Sequence, residues 1–174
     1  SEDELELVAD GMHRAARKAP GFFAYGTLEE ALEDLKAPPA APLRDYVLDQ
    51  AGQVMKAVDL VREEPIVAMI RALSAYRNRG YRSVTGIDAS KWLQREWARY
   101  AEGRDFVSVE PYKHAAFPQE SVVLTMKGAS EPDKVIIIGG HLDSVAGYGD
   151  NPAPGADDNA SGVAVTHEAI RSLL

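Results

Sequence analysis

Cysteine is absent from the 174 residues. Disulfides, thiolate metal sites and a cysteine nucleophile are thereby excluded. Long apolar runs are absent as well. The longest candidate, Val135–Ile138, is strand-sized and far below the ~18 residues of a membrane span, so no membrane role is expected. Positive charge is scarce: 19 basic residues against 27 acidic ones leave a net charge of −8. A nucleic-acid partner is not expected, because phosphates require a basic surface. The acidic start, Ser1-Glu2-Asp3-Glu4, lacks the apolar core of a signal peptide, and the missing initiator methionine fits a trimmed or processed chain. The remaining composition, 45% hydrophobic, is that of an ordinary globular protein with one respectable core.

The first half of the chain reads as helices. Leu5, Leu7, Val8, Met12 and Ala15 recur at helical spacing over residues 3–19, and Pro20-Gly21 ends that segment. Thr27-Leu28-Glu29-Glu30 has the form of a capping box, followed by Leu28, Ala31, Leu32 and Leu35 on one face. Ala37-Pro38-Pro39-Ala40-Ala41-Pro42 reads as a stiff linker. Residues 1–42 are therefore expected to be a helical pro-segment or accessory arm, with a second domain over 43–174. Further helices are expected from Leu43 to Val58, from Pro65 with Ile66, Met69, Ile70, Leu73 and Tyr76 on one face, and from Thr85 to Tyr100. Trp92, Leu93 and Trp97 are the expected core anchors of the last.

After Gly103 the period changes. Phe106–His114 and Ser121–Lys127 alternate as strands, Val122, Leu124 and Met126 facing one way, and form an expected hairpin. Lys134–Gly140 is apolar on both faces and four of its residues are β-branched. Such a strand is usually central in a sheet covered by helices. Ala160–Leu174 reads as a helix with Val163, Val165, Ile170, Leu173 and Leu174 as its apolar stripe. Strand, long loop, helix is the opening of an α/β fold.

In open α/β sheets, ligands bind beyond the carboxyl ends of central strands. Gly139-Gly140-His141-Leu142-Asp143-Ser144 occupies that place. His-x-Asp puts two side chains on one side, so that one can bind a metal while the other accepts the free ring N–H; His141 is assigned as ligand and Asp143 as its orienter. Further on, Ala153-Pro154-Gly155-Ala156-Asp157-Asp158-Asn159-Ala160-Ser161-Gly162 is an acidic turn feeding a helix. Asp158 can bridge two cations with its two oxygens. The plainer alternative is that Asp157 and Asp158 only cap the helix and complement its dipole. With both elements on one βα connection, metal binding is favoured. His167 and Glu168 are expected on a solvated or interface helix face, and His13 and His114 at the surface.

These two segments together resemble the bacterial leucyl aminopeptidase family of di-zinc exopeptidases. Leu73-Ser74-Ala75-Tyr76-Arg77-Asn78-Arg79, Thr85-Gly86, Trp92-Leu93, Glu96-Trp97 and Gln119-Glu120-Ser121-Val122-Val123 extend the likeness over about Ile66 to Leu174. The resemblance implies a mixed β-sheet flanked by helices, incomplete in this chain and preceded by an N-terminal helical segment, with 43–174 as the N-terminal part of a catalytic domain. It implies two Zn2+ ions, His141 as ligand to one, Asp158 bridging both, Asp143 behind His141, and a cis peptide at Asp158–Asn159. It also implies a Glu-Glu pair, one the general base and the other a ligand, then an aspartate and a final histidine ligand, all expected downstream of the helix that closes these 174 residues. Peptides are the implied substrates, with N-terminal hydrophobic residues released. The expected partner is the C-terminal remainder as a second polypeptide, either a cleavage product or sequence not included in these 174 residues. Secretion or a periplasmic location is implied by the family alone. Two alternatives stay open: a related zinc carboxypeptidase or glutaminyl cyclase, and a non-catalytic peptidase-like binding domain.

Overall fold

The structure is a computed structural model that describes residues 7, 8, 11, 25–36, 49–147 and 150–174. It divides into two compact units, Ser1–Asp49 and Gln50–Leu174. The Pro-rich linker at 37–42 and His13 lie outside the described residues, as does the 3–19 helix apart from helical Leu7, Val8 and Gly11.

In the first unit, helix α1 (Leu28–Lys36) begins with the expected capping box. The Glu30 N–H donates to Thr27 Oγ1 at 3.1 Å, and the Thr27 N–H donates to Glu30 Oε2 at 3.2 Å. Two of the helix's orphan donors are thus satisfied by residues three apart.

The second unit contains α2 (Ala51–Asp59), α3 (Glu63–Ser74), α4 (Val84–Ala101), the antiparallel strands β1 (Val107–Tyr112) and β2 (Ser121–Met126), and α5 (Gly162–Leu173). Pro65 sits in the first turn of α3, where its missing N–H costs nothing. Ser83 caps α4 by accepting from the Gly86 N–H at 2.9 Å. β1 and β2 pair from Val107 opposite Met126 to Tyr112 opposite Ser121. Val122, Leu124 and Met126 are the less exposed residues of β2, as the alternation requires. The core is made by Met69 and Leu73 of α3, Leu93 and Trp97 of α4, and Ala160, Val163, Ala164 and Ile170 at and within α5. Val109, Val122 and Leu124 of the hairpin pack against it, and Trp92 is half-buried beside it. Among the described residues no helix is long and apolar enough to cross a membrane.

The architecture is mixed α and β, with helices around a small two-stranded sheet. The run Val135–Ile138 departs from its expected role. It joins no ladder among the described residues, and its four side chains are 56–91% exposed. The apolar pattern was the right one for a buried strand, but a strand becomes central only when neighbours are present to accept its hydrogen bonds.

Helix α5 also differs from expectation. Val163 and Ile170 are buried, whereas Val165 and Leu173 are exposed. The buried face instead includes His167 and Glu168, which are therefore not solvated. Glu168 takes a two-pronged contact from Arg171 at 2.7 and 2.8 Å and the Arg62 N–H at 2.6 Å. Burial of a carboxylate is tolerable when its lone pairs are filled this way.

These two groups set an acid sensitivity. Burial holds the His167 imidazole below its usual 6.5, and the Arg171 contact holds Glu168 below its usual 4.5. In both cases the unfolded chain binds more protons than the folded one, so stability rises with pH. His167's share is complete above about pH 6.5 and is lost as pH falls through its lowered folded value. Glu168's share is complete above about pH 4.5 and is lost below that. The urea midpoint should therefore fall between pH 7 and pH 5, and His167→Gln should flatten that part of the profile. An unchanged midpoint across the interval would contradict this.

Candidate functional site

The site lies where the segment after Val135–Ile138 meets the turn that leads into α5. That turn, Ala156–Ser161, leaves helical geometry at Asp158 (φ −109, ψ 93) and Asn159 (φ −135, ψ 43). The Asp158–Asn159 peptide is cis, as the family resemblance implies. The turn is closed by the Ala160 N–H on the Gly155 carbonyl at 3.0 Å. Asn159 Oδ1 accepts from the Gly162 N–H at 3.0 Å and so starts α5. Gly155 has φ +50, and a Cβ there would lie 2.4 Å from the Asp158 carbonyl oxygen; only glycine fits both constraints.

His141 and Asp158 meet across this junction. His141 Nε2 lies 2.9 Å from Asp158 Oδ1. His141 Nδ1 lies 3.1 Å from both the Asp143 carbonyl oxygen and Asp143 Oδ1. Asp158 is 86% exposed at its side chain, and the His141 ring is more than half exposed, so the junction opens to solvent. The three residues singled out from sequence are therefore together. Asp157 is exposed beside them, and its carbonyl accepts from Ser161 Oγ at 2.6 Å.

The protonation chemistry of this cluster is unbalanced. Both nitrogens of His141 face acceptors only, and a neutral imidazole carries a single N–H. If Nδ1–H points to Asp143, the Nε2 lone pair faces the Asp158 carboxylate. A positive charge between the two relieves that opposition, as a proton or as a metal cation. The donor types suit zinc, which takes imidazole nitrogen and carboxylate oxygen at about 2.0–2.2 Å. Two such donors on a tetrahedral ion stand about 3.3 Å apart, a few tenths of an ångström more than the separation here. Among the described residues, no three His, Asp or Glu side chains are arranged to hold one metal ion together. His141 and Asp158 offer donor types that a zinc ion takes.

One residue bonded to both segments of this arrangement was not singled out from sequence. Arg79 is fully buried and its guanidinium donates to main-chain carbonyls only. Nε reaches Leu142 at 2.8 Å, one Nη reaches Leu73 at 3.0 Å and Pro154 at 2.5 Å, and the other Nη reaches Gly155 at 2.9 Å. Its own N–H donates to Ser144 Oγ at 3.0 Å, and Ser144 Oγ donates to the Ala153 carbonyl at 2.7 Å. Beside it, Asn78 Nδ2 donates to Asp150 Oδ1 at 2.6 Å, and the Ala153 N–H donates to the Arg77 carbonyl at 2.7 Å. A Arg-Asn-Arg-Gly run after a helix was a visible signal for a break, and it gave no hint of these partners.

Residues 121–174, which contain His141, Asp143 and Asp158, match Peptidase family M28. The kinship expected from the motifs holds. A probable leucine aminopeptidase of Trichophyton verrucosum is 32% identical over 174 residues, covering 97% of this chain and 46% of the relative. The structure of LapB from Legionella pneumophila is 28% identical with a TM-score of 0.68, covering 83% of this chain and 38% of LapB. The Legionella pneumophila LapA aminopeptidase shares the fold, with a TM-score of 0.70 at 24% identity, over 88% of this chain and 42% of LapA. The chain thus spans about 46% of the length of these curated leucine aminopeptidase relatives.

Proposed function

We propose that this chain carries one part of a zinc aminopeptidase centre. His141 Nε2 and the Asp158 carboxylate are the metal donors, and Asp143 orients the imidazole through Nδ1. Asp158 would be the carboxylate through which Zn2+ is held beside His141. The general-base glutamate and the remaining donors are carried by a companion segment outside residues 1–174, which also covers the exposed Val135–Ile138 run. The observation that carries the reading is the acceptor-only surroundings of His141, with Asp158 Oδ1 at 2.9 Å from Nε2. M28 peptidases are in general metal-dependent, which agrees with it.

Bound zinc supplies Lewis acidity, lowering the pKa of a water and polarising a carbonyl. The chain's own residues do the rest of what is attributed to them. Asp143 fixes the tautomer that leaves Nε2 unprotonated and raises its basicity. Asp158 contributes negative charge where cations are held. With Asp143 and Asp157, it makes an acidic surface that attracts the cationic amine of a peptide N-terminus. Preference for hydrophobic N-terminal residues and action outside the cytoplasm complete the proposal.

The test uses the full-length gene product with a leucyl anilide and its N-acetylated counterpart. Hydrolysis of the free-amine substrate should vanish on treatment with a zinc chelator and return with added Zn2+. The N-acetylated substrate should be spared. Activity indifferent to the chelator, or equal cleavage of both substrates, would sink the proposal.

A further inference from the structure

We infer that Arg79 is the positioning residue that holds the His141 and Asp158 main-chain segments together for a shared cation. The inference rests on the metal-binding reading above. Leu142, whose carbonyl takes the Arg79 Nε–H, lies between His141 and Asp143 in the chain. Pro154 and Gly155, whose carbonyls take Nη hydrogens, open the turn that ends at Asp158. Leu73, at the end of α3, anchors the same guanidinium to the core. One planar cation therefore joins three segments by four hydrogen bonds. The Ser144 hydroxyl, between the Arg79 N–H and the Ala153 carbonyl, and the direct His141–Asp158 contact link the same segments beside it.

The geometry is specific to arginine. A guanidinium offers five N–H groups in a rigid fork, whereas an ammonium offers three from a single point. The charge has a second consequence. Among the described residues Arg79 forms no ion pair, yet the carboxylates of Asp143 and Asp158 act on it through space, opposing the effect of burial.

The experiment measures Zn2+ affinity of the full-length protein by competition with a chromogenic chelator. Wild type, Arg79→Lys, Arg79→Met and a His141→Ala control are compared, with circular dichroism and thermal melts of the metal-free proteins. Arg79→Met should bind Zn2+ about 10–100-fold more weakly, the range for loss of an outer partner of a metal site. Arg79→Lys should fall between it and wild type. In a third arm, millimolar guanidinium should restore Zn2+ affinity to Arg79→Ala by filling the vacated space. Wild type that binds no Zn2+, or binds it as well with His141→Ala, defeats the metal reading itself. Wild type that binds normally beside an Arg79→Met of equal affinity defeats only the role of Arg79. Arginine variants that fail to fold, with no recovery in guanidinium, would also overturn it, because the residue would then serve the fold rather than the site.

Discussion

Gly86→Ala should unfold or severely weaken the second unit. A Cβ at this position would lie 2.0 Å from the Gly80 carbonyl oxygen and 2.8 Å from that of Arg79. Both contacts are with main chain, so no side chain can swing aside. Helix α4 would have to withdraw from the 79–80 segment by more than an ångström. Three hydrogen bonds cross that contact or brace it. The Gly86 N–H donates to Ser83 Oγ at 2.9 Å, and Gln119 Nε2 donates to both the Gly86 and Arg79 carbonyls at 3.0 Å. Gln119 is buried, and losing its partners adds the cost of unsatisfied polar groups. Overpacking alone costs about 1–3 kcal/mol. With the lost hydrogen bonds, the expected total is about 3–5 kcal/mol, or a melting temperature roughly 10 °C lower. Gly52→Ala in α2 is the matched control. Nothing lies within 4 Å of its Cβ position, and replacing an exposed helical glycine should stabilise by up to about 1 kcal/mol. Thermal melts of the two variants moving in the same direction would refute the argument.

The second large effect concerns the site. His141→Ala and Asp158→Asn should each weaken Zn2+ binding by more than the ~10–100-fold attached to an outer partner, and Asp143→Ala should fall within that range. Asp158→Asn keeps the shape of the side chain and removes its charge. The loss therefore reports the carboxylate as a donor rather than as a filler of the turn. Asp158 is exposed at its side chain, so its replacement leaves packing intact. Wild-type Zn2+ affinity in Asp158→Asn, with a native melt, would contradict the assignment. A loss in Asp143→Ala equal to that in His141→Ala would move Asp143 from orienter to donor.

Much of this was legible in the sequence where partners are near in the chain or follow a period. The Thr27–Glu30 capping box, the buried side of α3 at Met69 and Leu73, and the Val122–Leu124–Met126 side of β2 are of that kind. His141, Asp143 and Asp158 were found by motif, and the structure brings them together across a loop. Arg79 escaped notice because its partners are main-chain carbonyls, which carry no residue identity. Its burial could not be read from a run that looks like a polar helix break. His167 and Glu168 were expected on a solvated or interface helix face because charge in a helix is usually solvated, and they are buried within the unit instead. The signal that could have corrected this was Arg171, three residues after Glu168 and on the same side of the helix. Val135–Ile138 was read correctly as apolar on both faces. Side-chain pattern states what a strand prefers, while its place in a sheet depends on neighbours that the pattern does not contain.

On the proposed reading, His141 and Asp158 share one divalent cation. A crystal structure of the zinc-loaded full-length protein, with anomalous data at the zinc edge, tests it most directly. The account predicts a zinc peak about 2.0–2.2 Å from both His141 Nε2 and an Asp158 carboxylate oxygen, with Asp143 still on Nδ1. Zinc bound elsewhere, with Nε2 and Asp158 Oδ1 still in direct contact at 2.9 Å, would contradict it.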